Sequence, residues 1–167
     1  MSQDLERFAE SRIQFVQHCL QVWTQPTDRH QRASAKYCFK QGFFYAAAYY
    51  VEWNPFISQG ARDQASVQGL PIERLRSARW HDQPSFDPGR DTFHFEHVFT
   101  GEMCWTAVTE LSGSFSSKDL SDLLRVNYAT AWILKDEDGR LPRSVRGKTL
   151  QDALQIYTDK GVSLARP

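Results

Sequence analysis

Hydrophobic positions at the start of the chain recur at helical spacing. Leu5, Phe8, Ile13, Val16, Leu20 and Val22 fall near one stripe over residues 3–25, with Glu6, Arg7, Glu10 and Arg12 on other faces. This predicts an amphipathic helix ended by Pro26, with Thr27 or Asp28 placed to cap its successor. A second helix is predicted from Asp28 or Arg32 to Trp53, carrying Tyr37, Phe39, Phe44, Ala47 and Val51 on its apolar positions. Small alanines at 46–48 between bulky aromatics predict close packing against the first helix as an antiparallel hairpin. Asn54-Pro55 ends it, and the polar stretch 58–68 reads as a loop.

Pro71 opens a short helix over 71–79 with Ile72 and Leu75 on one face, and 80–90, with Pro84, Pro88 and Gly89, reads as irregular. Residues 92–100 form the strongest alternating run in the chain. Strand geometry puts Phe93, Phe95, His97 and Phe99 on one face and His94, Glu96 and Val98 on the other. Helices follow over 101–111, from Ser116 or Ser117 through Leu120, Leu123 and Leu124, and over 149–160 with Gly161 just past the end. Residues 129–134 read as a short strand or helix end, and 136–139 as a turn or short helix. Without repeats or alternating βα units, the expected fold is α+β, a helix-dominated single domain over 1–167 with a small β element. Its parts are a helical hairpin layer (1–55), an irregular connector with a short helix (56–91) and a small α+β part (92–167).

Composition narrows the class. With 41% hydrophobic and 13% aromatic residues and no net charge, the 167-residue chain can bury a core, which excludes disorder as its main state. Nine glycines, seven prolines and three cysteines exclude collagen-like and disulfide-scaffold classes. Twenty basic against twenty acidic residues leave no excess for wholesale phosphate neutralisation, so nucleic acid would be met only through a local basic patch. Cys19, Cys38 and Cys104 form no CxxC pair and read as reduced, mostly buried thiols of a cytoplasmic protein. The N-terminal residues lack an apolar signal core, and the longest apolar stretch, 43–51, is too short to span a membrane.

The densest group of metal-capable side chains is His94, Glu96 and His97. In a regular strand Glu96 and His97 point to opposite faces. The change to a helical pattern and Gly101 shortly afterwards predict a break that would let them converge. Glu96-His97-Val98-Phe99 then resembles the core of the HNH (ββα-metal) endonucleases, with Thr100 where proline is usual. The resemblance spans five or six adjacent residues and implies Glu96 as ligand to Mg²⁺ or Mn²⁺, His97 as general base and Asn127 as the residue orienting it. It implies a last ligand at Asp136, Glu137 or Asp138, with Asp136 and His94 completing the metal set. Glu102 or Cys104 joining His94 and His97 is a further metal reading. Against these stands a purely structural one, in which Phe93, Phe95 and Phe99 bury one strand face and His97 is a hydrogen-bonded, partly buried histidine.

Three other clusters carry charge or rings. Arg140, Arg143, Arg146 and Lys148 form a basic stretch suited to phosphate, or to ion pairing with the acids at 136–138. Arg74, Arg76 and Arg79 with Trp80 and His81 suit base stacking, or lie along a helix and cover apolar neighbours. The stripe from Tyr37 to Trp53 is too wide for one buried face, which predicts a protein interface or homodimer. The sequence favours a non-catalytic interaction or accessory protein, with a small metal-dependent HNH-like nuclease as the alternative.

Overall fold

The computed structural model describes residues 2–25, 28–111, 115–142 and 147–166. The fold is helix-dominated α+β, and the chain divides into two compact units, Met1–Glu52 with Thr100–Tyr128, and Trp53–Phe99 with Ala129–Pro167.

The first unit is all helical. Helix α1 (Ser2–Thr24) packs antiparallel against α2 (Arg29–Phe39), which starts at Asp28, whose carboxylate accepts the Gln31 amide at 2.8 Å. The second helix continues beyond α2 with altered winding, as a π-helical turn (Lys40–Tyr45) and a 3₁₀ turn (Ala46–Tyr49), and stops short of Trp53. The wide turn serves packing: it lets the consecutive Phe43 and Phe44 both enter the core, and Gly42 admits the Phe15 ring where a Cβ would stand 2.8 Å from it. Two later helices, α5 (Gly101–Glu110) and α6 (Ser117–Asn127), complete this unit. Thr100 caps α5 through the Met103 amide at 3.2 Å, and Ser116 and Asp119 form a reciprocal capping box on α6. Trp105 meets Phe39 and Trp23 edge-on at 5.0 and 5.3 Å.

The second unit holds a four-stranded mixed sheet in the order β2-β3-β1-β4. Strand β1 (Phe56–Ser58) runs parallel to β3 (Thr130–Leu134) and antiparallel to β4 (Leu164–Ala165); β2 (Phe93–His97) is antiparallel to β3. One face carries Ile57, Phe93 and Trp132, buried with Ala61 and Ala65 of α3 (Gln59–Val67) and Leu75 of α4 (Ile72–Ser77). Each of those large side chains contributes about 1.5–3 kcal/mol by leaving water. A 3₁₀ turn (Trp80–Ser85) leads towards β2. Helix α7 (Lys135–Arg140) follows β3 directly, and α8 (Leu150–Asp159) ends at Gly161, whose φ of 70° suits glycine.

The loop expected over 58–68 is instead the end of β1 and helix α3. Ser58 caps it, accepting the Ala61 amide at 3.0 Å, and the apolar face is only Ala61 and Ala65, too small to register as a stripe. Two of the three thiols, Cys19 and Cys104, are buried, whereas Cys38 is exposed.

Candidate functional site

Strand β2 stays regular. Its ladder with β3 runs unbroken from Phe93↔Leu134 to His97↔Thr130, and the Val98 amide extends it to the Ala129 carbonyl at 2.9 Å. The strand does end before Gly101, at His97 with bends at 98 and 99, but no break falls between Glu96 and His97, so the two occupy opposite faces. His97 lies on the Phe95 side, ring centroids 5.6 Å apart, and burial lowers its imidazole to about 4. It is neutral at pH 7, on the face away from Glu96.

The same alternation brings His94 and Glu96 together. Their register partners are Ile133 and Ala131, so both imidazole and carboxylate stand over that side of the sheet. His94 Nε2 is 3.1 Å from Glu96 Oε2 and 3.8 Å from Asp138 Oδ1 on α7. One ligand atom from each of the three lies within 4.8 Å of the others. The hydrogen bond to Glu96 holds the His94 imidazole above its ordinary value; partial burial opposes this and the Asp138 charge adds to it. Asp136, the expected acidic partner, is exposed and outside this group. Helical phase decides the difference, since the carboxylates of 136, 137 and 138 radiate about 100° apart and so put 136 and 138 on different sides of the helix.

Glu137 points elsewhere. It is buried and accepts the Ser58 hydroxyl at 2.5 Å and the Leu134 amide at 2.8 Å, and Arg140 lies 3.9 Å away. Asn127 belongs to the helical unit, where it donates to the Leu123 carbonyl at 3.1 Å. Glu102 in that unit is paired with Lys36 and, at 3.2 Å, with Lys40, and Cys104 is fully buried, which pushes its thiol up.

Arg140 donates to the carbonyls of Lys160 and Gly161 at 3.4 and 3.5 Å, closing the end of α8. The Lys148 amide donates to Asp152 at 2.8 Å; Arg143 and Arg146 lie outside the described residues. In the arginine cluster, Arg74 bonds Ser85, Arg76 pairs with Glu73 at 3.4 Å and Arg79 lies 4.5 Å over the Trp53 ring. Trp80 is covered by Arg90 at 4.1 Å.

Ser58, Gln83 and Asp87 belong to no motif or periodic stripe in the sequence, yet each fixes part of the sheet-bearing unit. Gln83 and Asp87 are buried and join the turn before β2 to the Phe93 backbone: Gln83 donates to its carbonyl at 2.7 Å, and Asp87 accepts its amide at 2.9 Å.

Comparison with protein-family models, with curated proteins and with solved structures finds no match. Among the described residues, no helix is long and apolar enough to cross a membrane.

Proposed function

We propose that the protein is an accessory protein that acts by binding, and that His94, Glu96 and Asp138 hold a divalent cation on its sheet-bearing unit. One observation carries the reading: three ligand atoms of mixed type converge within 4.8 Å, two from one strand face and one from the helix that follows the neighbouring strand. One imidazole nitrogen with two carboxylate oxygens suits a first-row transition ion such as Mn²⁺ or Zn²⁺ better than Ca²⁺, which takes oxygen ligands alone. The partial exposure of all three leaves room for water or a partner's ligand on the ion. Binding without cleavage is favoured because His97, the general base that an HNH-like reading requires, stands on the other strand face.

Titration calorimetry with Mn²⁺ tests this. One ion per chain is expected, with His94→Ala and Asp138→Asn each weakening binding at least tenfold and Asp136→Asn leaving it unchanged. No saturable heat, or equal damage from Asp136→Asn, overturns the site. Supercoiled plasmid incubated with protein and Mn²⁺ is expected to stay intact. Nicking that His97→Ala removes without shifting the melting curve would restore the nuclease alternative.

A further inference from the structure

The register that gathers His94 and Glu96 on one side of the sheet also brings a cation beside them. The Lys135 amide donates to the Thr92 carbonyl at 3.1 Å, which extends the β2–β3 ladder one pair beyond Phe93↔Leu134. Alternation along β3 then sets Lys135, which opens α7, on the side that carries Ile133, His94 and Glu96. It is the diagonal neighbour of His94 across the ladder, a spacing of about 7–8 Å that a lysine side chain covers. Its charge is felt there: Lys135 lowers the His94 imidazole, against the raising effects of Glu96 and Asp138.

Lys135 is exposed, and among the described residues no carboxylate pairs with its ammonium. Asp138, three residues on, is turned to His94, and Glu137 is buried against Ser58. Asp136 stands on a different side of α7 from Asp138. With a divalent ion in place, the charges of Glu96 and Asp138 are spent on the ion and the imidazole is neutral. Lys135 is then a surplus positive charge beside the ion. The ion also keeps vacant positions, because three protein ligands fill half of the octahedron that Mn²⁺ prefers.

We infer that this site captures an aspartate or glutamate side chain of a partner protein, with one carboxylate oxygen on the ion and the other on the Lys135 ammonium. The inference rests on the cation site proposed above and names what that site binds. A carboxylate brings the single negative charge that balances the surplus, and two oxygens to divide between a metal ion and a charged donor. A phosphate dianion overshoots that balance, and a neutral ligand leaves Lys135 without a counter-charge. Oxygen donors also suit Mn²⁺, and acidic side chains are mostly exposed on protein surfaces, where a partner can present them.

Water-proton relaxation of the Mn²⁺-loaded protein is the test, since each water displaced from the ion lowers it. A terminally blocked alanine–glutamate–alanine peptide is expected to lower the relaxation saturably, and its glutamine counterpart to leave it unchanged. Lys135→Ala is expected to need at least about fivefold more of the glutamate peptide, yet to bind Mn²⁺ more tightly, because it removes a like charge beside the ion. Lys135→Arg is expected to keep the response to peptide. The position is exposed, and unchanged thermal melts establish that both variants fold. The inference is overturned if Mn²⁺ binds but the glutamate peptide has no effect, if the glutamine peptide acts equally, or if Lys135→Ala responds like the parent. It is also overturned if inorganic phosphate displaces the water in a Lys135-dependent way and the peptide does not. Failure to bind Mn²⁺ at all removes the cation site itself, and this inference with it.

Discussion

The hydroxyl of Ser58 donates to the buried carboxylate of Glu137 at 2.5 Å, across 79 residues of sequence. It links the exits of the two parallel strands, because Ser58 ends β1 and caps α3 while Glu137 sits in the first turn of α7, just after β3. Ser58→Ala removes both the cap and the partner of a buried carboxylate. A loss of about 2–4 kcal/mol in urea-unfolding free energy is expected, with Ser58→Thr costing less.

Gly60 faces the same carboxylate. A Cβ there would stand 2.8 Å from Glu137 Oε1 and 3.0 Å from a Leu134 methyl. Glutamate ends usually move aside, but this one is held by Ser58 and by the Leu134 amide. Gly60→Ala is therefore expected to destabilise by about 1–3 kcal/mol. Gly139, on α7 with nothing within 4 Å of its Cβ position, is the opposite case, and Gly139→Ala is expected to stabilise by about 0.5–1 kcal/mol. Thermal melts that move in one direction for both would contradict this pairing.

Acid sensitivity is expected to centre on Asp87. Burial alone would raise its carboxyl, but hydrogen bonds from Phe93, Gln83, Thr92 and Asp91 outweigh that and hold it below the ordinary value. A carboxyl depressed in the folded state adds stability above its unfolded value, about 3.9, and loses it as pH falls through the folded value. Asp87→Asn is expected to cost about 1–3 kcal/mol at pH 7. The gap between parent and variant, followed by urea melts, narrows as pH falls below the unfolded value of about 3.9; a gap that stays constant through the acid range would assign the loss to packing alone.

Arg90 is the one non-glycine residue with positive φ, 52°, among those described. It stacks on Trp80, so substitution mixes two effects. Comparing Arg90→Gly with Arg90→Ala separates them, because both remove the guanidinium and only the backbone preference differs. The glycine variant is expected to be the more stable by about 1 kcal/mol. Equal stability would mean that the turn relaxes when the stack is lost.

What the sequence disclosed follows the physics of each element. Helices α6 and α8 start where Ser116-x-x-Asp119 and Thr149-x-x-Asp152 place reciprocal caps, and both starts were readable as local chemistry. Helix α3 was not, because two alanines make no stripe, and β4 is two residues long and shows no period. The π turn was illegible for another reason: no local residue pattern marks it, and it coincides with the burial of the consecutive Phe43 and Phe44, which only tertiary packing decides. At the candidate site, period-two alternation already set His94 and Glu96 on one face. The choice of Asp138 over Asp136 needed the helical phase of residues read as a turn or short helix.

The order of the chain has a consequence for how the protein is made. Strand β1 finds its parallel neighbour only after residues 59–129 have been synthesised, and that interval contains the second half of the helical unit. A nascent chain leaving the ribosome thus carries both half-built units at once, each awaiting a later stretch. Neither can be excised as one uninterrupted stretch, and a premature stop between β2 and β3 leaves Ile57 and Phe93 without Trp132 and exposed to any chaperone or protease nearby.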